Sequence, residues 1–203
     1  MKSTLMLIFI LTLAIAPAAV AQCPDLIELD CGGGSAWFGL RHDGANIGQG
    51  QTVTLECDAA ILGAEFKFIV TGNPNGGVPS MVTGDEIHVV VIDMDGNHIM
   101  MATSTVPADI YNDWLSFEFP EDMTVPAGVY LLAAYTTVQR QCSFWFCPDE
   151  DLYPDGERMA SLGGLDGPWF SMGGTDVPFR VHLDSDNVPT DAVSWSGVKV
   201  LFD

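Results

Sequence analysis

Basic residues are scarce in this chain. Seven Lys and Arg stand against 27 Asp and Glu among 203 residues, a formal net charge of −20. Such a surface repels nucleic-acid phosphates and anionic lipid heads, so DNA, RNA and membrane-surface partners are not expected. Catalytic signatures are missing too. There is no Gly-x-Ser-x-Gly elbow, no His-Glu-x-x-His and no Ser-x-x-Lys. The expectation is a protein that is not an enzyme. No Cys-x-x-Cys occurs and the four histidines are scattered, so a zinc site of ordinary spacing is absent. Cys31-Gly32-Gly33-Gly34-Ser35 reads as loop material and not as a phosphate loop, because no Gly-Lys-Ser/Thr follows. No amphipathic helical stretch of useful length is visible.

Long apolar runs are also lacking, except at the start. Met1-Lys2 supplies a positive end, Leu5 to Ile15 is apolar, and small residues stand at Ala19 and Ala21. That three-part pattern reads as a signal peptide over 1–21, leaving Gln22 as the mature N-terminus. The apolar part is too short to span a bilayer, so no membrane insertion is expected after cleavage. Gln22 precedes Cys23 where a lipoprotein would carry a small residue. The expected localisation is periplasmic, cell-surface or secreted.

What is present has a period of two. Residues 51–57 and 61–71 alternate, with Ala64, Phe66 and Phe68 on one side and Glu65 and Lys67 on the other. Glu86 to Asp93 (EIHVVVID) is β-branched, and 98–104, 114–119, 129–137, 143–146 and 177–183 complete the series. Turn residues recur between them. The expectation is an all-β protein built as a single antiparallel β-sandwich of seven or eight strands. Residues 22–47 read as a Gly/Cys-rich N-terminal segment, 48–184 as the sandwich domain, and 185–203 as a linker and short tail.

The order of pieces carries a resemblance. Gly50-Gln51-Thr52 opens it, a Gly/Pro-rich break follows at 72–79, then Asp95-Gly96, Ala102-Thr103-Ser104, and Trp114, Phe117 and Phe119. Pro126-Ala127-Gly128-Val129-Tyr130, Gly167-Pro168-Trp169, and Asp176, Phe179, Arg180 and Val181 close it. Over 48–184 the chain resembles jelly-roll sandwich modules of exported bacterial proteins, of galactose-binding-like and carbohydrate-binding style. The resemblance implies a non-catalytic module and by itself no particular ligand; aromatic residues beside carboxylates make polysaccharide or cell-surface glycan the expected partner. The alternative is a structural cell-surface or matrix protein with no small-molecule site.

All five cysteines follow the signal, an odd number, so at least one stays free or pairs between chains. Residues 142–147 allow two arrangements. A Cys142–Cys147 disulfide would make a loop presenting Trp145. A strand over 142–146 would span about 16 Å, beyond the roughly 7 Å between Cα atoms that a disulfide tolerates. The resemblance favours the strand, with Trp145 facing away from Phe144 and Phe146. Trp145, Tyr153 and Trp169 are the candidate sugar-stacking residues, since pyranose rings have apolar C–H faces. Asp149, Glu150, Asp151 and Asp155 form the densest carboxylate run and are the candidate ligands for Ca2+, a cation that takes several oxygens from acidic loops.

A second calcium candidate fails. An EF-hand beginning at Asp93 requires Gly at its sixth place and Glu at its twelfth, which hold His98 and Ser104. Asp93-Met94-Asp95-Gly96-Asn97 reads instead as a β-hairpin turn, with Asp95-Gly96 in type I′ geometry.

Overall fold

The computed structural model describes residues 23–40, 45–69, 79–108, 110–120, 123–148 and 151–184. The expected signal segment, residues 72–78 of the Gly/Pro-rich break and the C-terminal tail lie outside these, as do Asp149 and Glu150. The described residues form thirteen strands and no helix, and all strand pairs are antiparallel.

In chain order the strands are β1 (Leu26–Leu29), β2 (Gly34–Leu40), β3 (Asn46–Leu55), β4 (Ala59–Ile69), β5 (Glu86–Asp93), β6 (His98–Thr105), β7 (Tyr111–Glu118), β8 (Thr124–Val125), β9 (Gly128–Tyr135), β10 (Gln141–Phe146), β11 (Arg158–Ser161), β12 (Trp169–Ser171) and β13 (Phe179–Asp184). The first sheet centres on β4. β13 and β10 pair along one side of it and β7 and β8 along the other, while β1 extends β13 and β2 extends β10. The second runs β12-β11-β3-β9-β5-β6, and the short β2–β3 pairing at Gly39–Leu40 joins the two.

One core is shared by both sheets. Alternation on β4 and β13 turns Phe66, Phe68, Phe179, Val181 and Leu183 inward, against Val53, Leu55, Ile87, Val89, Val91 and Leu132 of the second sheet. Phe144 lies at its centre, fully buried, with ring centroids 5.4 Å from Phe38, 5.7 Å from Phe66 and 6.1 Å from Phe68. Burying a side chain of this size contributes about 1.5–3 kcal/mol. The second sheet also buries its opposite side. Val90, Ile92, Leu131 and Ala133 form a separate cluster there, covered by Met159, Leu165, Trp169 and Tyr135. Burial on both faces explains why EIHVVVID lacks alternation.

Residues 22–47 were expected to stand apart as a loop-rich segment. Instead β1, β2 and the start of β3 belong to the sheets, and Gly34 and Ser35 are in β2. The reason is Ala36 and Phe38, which alternate inward and bury completely or nearly so. Their signal is hidden among glycines.

Residues 142–146 lie in the strand β10, and Cys142 and Phe144 both face the core. The disulfides are Cys23–Cys57 and Cys31–Cys147, each with Cα atoms 5.8 Å apart. Cys142 is the free thiol, buried within the fold. The two disulfides close separations of 34 and 116 residues, bonds of the kind that oxidising compartments form and preserve.

The 93–97 connection is a hairpin turn, but not of type I′. Gly96 has φ 86°, while Asn112 is the one non-glycine residue with positive φ among the described residues. Asp95 therefore lacks the positive φ that type I′ requires. The Asp93 carboxylate explains this. It accepts the backbone N–H of Asp95 at 3.0 Å and of Asn97 at 2.8 Å, and the Asn97 amide at 2.8 Å. These bonds hold an Asx turn, and a register shift at Ile92 absorbs the extra residue. The same bonds, the Asn97 side chain first, lower the Asp93 pKa.

Candidate functional site

The three aromatic residues singled out in the sequence occupy separate places. Trp145 is half-buried on β10 opposite Ser35, and its indole N–H is buried without a partner among the described residues. Tyr153 stands edge-on to Phe179, 5.1 Å between centroids, and its hydroxyl accepts the Thr54 N–H at 3.2 Å. Burial raises its pKa. Trp169 lies over Gly48 on the outer side of the second sheet, so close that a Cβ on Gly48 would come within 2.7 Å of the ring. No two of them share a platform.

Of the four carboxylates expected to hold Ca2+, Asp151 and Asp155 are described. They line one cavity of about 380 Å3 with Glu157, Thr52 and Thr175. No group of three His, Cys, Asp or Glu side chains among the described residues is placed to hold a metal ion. The loop is anchored from beneath by Asp176, whose side chain is buried. Its carboxylate accepts Gln51 Nε2 at 2.9 Å and the backbone N–H groups of Leu152 and Tyr153 at 2.8 and 3.0 Å.

A different surface gathers chemistry. Four strands of the first sheet, in the order β1-β13-β4-β7, present an outward face whose residues pair in direct register. One transverse row is Glu28, Arg180, Glu65 and Ser116; the next is Leu26, His182, Gly63 and Glu118. Lys67 and Trp114 pair directly in a third. Alternation puts them there, because their neighbours Phe66, Phe117, Phe179 and Val181 fill the core.

Glu65 is the hub. Its carboxylate accepts Arg180 Nη1 at 3.1 Å and Ser116 Oγ at 3.2 Å, and lies 3.3 Å from His182 Nε2. Arg180 Nε reaches Glu28 at 3.2 Å, and its guanidinium stacks on Trp114 at 4.1 Å from the ring centroid. Lys67 bonds Asp30 at 2.7 Å and lies 5.6 Å from the same ring. Desolvation pulls the Arg180 pKa down, but the bonds and charges of Glu65 and Glu28 outweigh it and leave the value raised.

Beside this network the sheet has a hollow. A register shift at His182/Leu183 leaves Leu62 of β4 unpaired with β13, and Leu62 projects outward, 37% exposed. Gly63 follows it, between His182 and Glu118, and has no side chain to fill the row. With strands about 4.8 Å apart, the Cα atoms of His182 and Glu118 face each other across roughly 10 Å. The result is a cavity of about 460 Å3, floored by Gly63 and lined by Glu65, Ser116, Glu118, His182, the exposed rim residue Leu62 and the buried Phe119. Bulges often re-aim side chains at such places. The hollow offers carboxylate, hydroxyl and imidazole groups above an apolar lip. It could bind a hydroxyl-rich molecule of about one ring's width. Glu65 has three polar neighbours in place.

Arg180 and His182 were visible in the sequence as the outward side of 177–183, and Glu65 as the outward side of 61–71. Their convergence was not, because nothing in the linear order says that β13, β4 and β7 adjoin.

No protein-family model matches this chain, and no curated protein matches it either.

Proposed function

We propose that this protein is an exported, non-catalytic binding module for carbohydrate, built on a sandwich of the jelly-roll type. The observation that supports the reading is the hollow at Gly63. It combines a concave shape, hydrogen-bonding side chains from three strands and an apolar lip at the exposed Leu62, the mixture by which polar ligands with apolar faces are recognised. Sugar hydroxyls would bond Glu118, Ser116 and His182, and the ring's C–H edge would rest on Leu62. Rigid strands, fixed by the core behind them, supply the preorganisation that limits the entropic cost of binding.

The test is a glycan array together with pull-down on insoluble polysaccharides, using the chain from Gln22. Ser116→Tyr fills the hollow with a residue suited to a strand, so it should abolish binding while leaving the unfolding midpoint unchanged. Binding that survives Ser116→Tyr would refute this site.

A second reading is a structural protein of the cell surface. It is favoured by Trp169 and Tyr153, which pack into clusters instead of standing free. A folded sample that binds no glycan would support it.

A further inference from the structure

Resting on the carbohydrate reading, the charge pattern around the hollow narrows the ligand class. We propose that the hollow selects saccharides bearing a free, protonated amino group, with the ammonium placed on Glu118. Three observations carry this. First, the cations of the face are already engaged: Lys67 with Asp30, and Arg180 with Glu28 and Glu65. A uronate, sulfate or phosphate on the ligand would find no free counter-charge there, and would approach a chain of net charge −20. Second, Glu65 is surrounded by the donors Arg180 and Ser116 and by His182. Third, Glu118 lines the same hollow, is exposed, and has no partner among the described residues. It faces Gly63 across the strand pair, so its carboxylate borders the empty row. A carboxylate accepts and never donates, and its strongest bonds are to charged donors. A hydroxyl would satisfy it; an ammonium satisfies it and gains the field of the whole protein as well.

Calorimetry at slightly acidic pH tests this with short oligomers, so that polyvalent attraction to an acidic protein does not enter. The probes are a glucosamine oligomer, its N-acetylated counterpart, a neutral glucan oligomer and a uronic acid oligomer of equal length. The expected result is that the amino oligomer binds about three- to tenfold tighter than the N-acetylated one, the range for a partly exposed charged contact. That preference should weaken with added salt. Glu118→Gln should erase it. Asp95→Asn, the same charge change on the remote hairpin, should leave it intact. Equal affinity for amino and N-acetylated oligomers would overturn the amine selection while leaving the carbohydrate reading in place. So would an equal loss in Asp95→Asn, which would reduce the effect to net charge. Binding of none of the four would overturn both.

Discussion

Asp176 offers the sharpest test of how this sandwich holds its acidic loop. The residue is 1% exposed, and its carboxylate accepts three donors: Gln51 Nε2, Leu152 N and Tyr153 N. Gln51 cannot turn over to help a substitute, because its Oε1 already accepts the Val177 N–H at 2.9 Å. The site therefore demands a group that accepts on both sides, which a carboxylate does and an amide does not. Asp176→Asn puts Nδ2 against either Gln51 Nε2 or the two loop amides, two donors face to face. One charge-assisted bond is lost and a donor is orphaned, a cost of about 2–3 kcal/mol. Asp176→Ala leaves three donors unmet. Water reaches the half-buried loop amides, so the expected loss is about 3–5 kcal/mol.

The decisive variant exchanges the two functions. In Gln51→Glu/Asp176→Asn, the carboxylate at 51 accepts both Val177 N–H and the new Asn Nδ2, while Asn Oδ1 accepts the loop amides. The bonds to Val177, Leu152 and Tyr153 and the one between the two side chains are restored with the same net charge; only the long Gln51 Nε2 bond to the Thr52 carbonyl, 3.4 Å, is given up. The new carboxylate also lies beside Arg158, which pairs with Gln51 across β3 and β11, is buried, and has no carboxylate partner among the described residues. The double variant should recover about 2 kcal/mol relative to the sum of the single changes, measured by urea midpoints with unchanged slope. Additive losses, or an Asp176→Asn protein as stable as the parent, would refute the account.

Three further outcomes follow from the core and its cross-links. Replacing both cysteines of Cys31–Cys147 by Ser should cost about 1 kcal/mol more than doing so at Cys23–Cys57, since loop-closure entropy grows with the logarithm of separations of 116 and 34 residues; urea midpoints in the reverse order would refute it. Phe144→Ala, which opens a hole among three rings, should cost about 3–5 kcal/mol by the same assay. Burial pushes the Cys142 thiol from 9.0 to about 12. The unfolded chain then sheds that proton first, so the protonated thiol's contribution to stability is complete below pH 9 and lost progressively towards pH 12. Cys142→Ala should flatten the fall in urea midpoint over that window, and an unchanged slope would contradict the burial of this thiol.

Much of the sandwich was legible because its strands obey period two. Phe66 and Phe68 against Glu65 and Lys67, or Phe179 and Val181 against Arg180 and His182, declare an inside and an outside without reference to any partner. Legibility failed where that contrast is diluted. β2 holds only Ala36 and Phe38 as inward signals, between glycines. β11 and β12 are four and three residues long, and a strand that short shows no period. β12 also carries Trp169 outward onto a second cluster, so its apolar side is not the side that faces the main core. The turn at Asp95-Gly96 was placed correctly but given the wrong type, because the dipeptide alone does not reveal that the Asp93 side chain closes the loop from outside it.

The hollow was illegible for a deeper reason. Its polar residues sit at outward positions of three strands, Glu65 on β4, Ser116 and Glu118 on β7 and His182 on β13, and each alone reads as a solvated side chain. What turns them into a site is register: Gly63 falls between His182 and Glu118, and Glu65 between Arg180 and Ser116. A shift of one residue in β7 would send Ser116 and Glu118 into the core and Phe117 into solvent. Core packing therefore holds the site in place. The same phenylalanines that bury the inner face fix which polar groups meet on the outer one. Changes that loosen Phe117 or Phe179, both buried, are for this reason expected to weaken the proposed glycan binding, read by pull-down on polysaccharide, before they lower the urea midpoint; binding that outlasts the fall in midpoint would refute this.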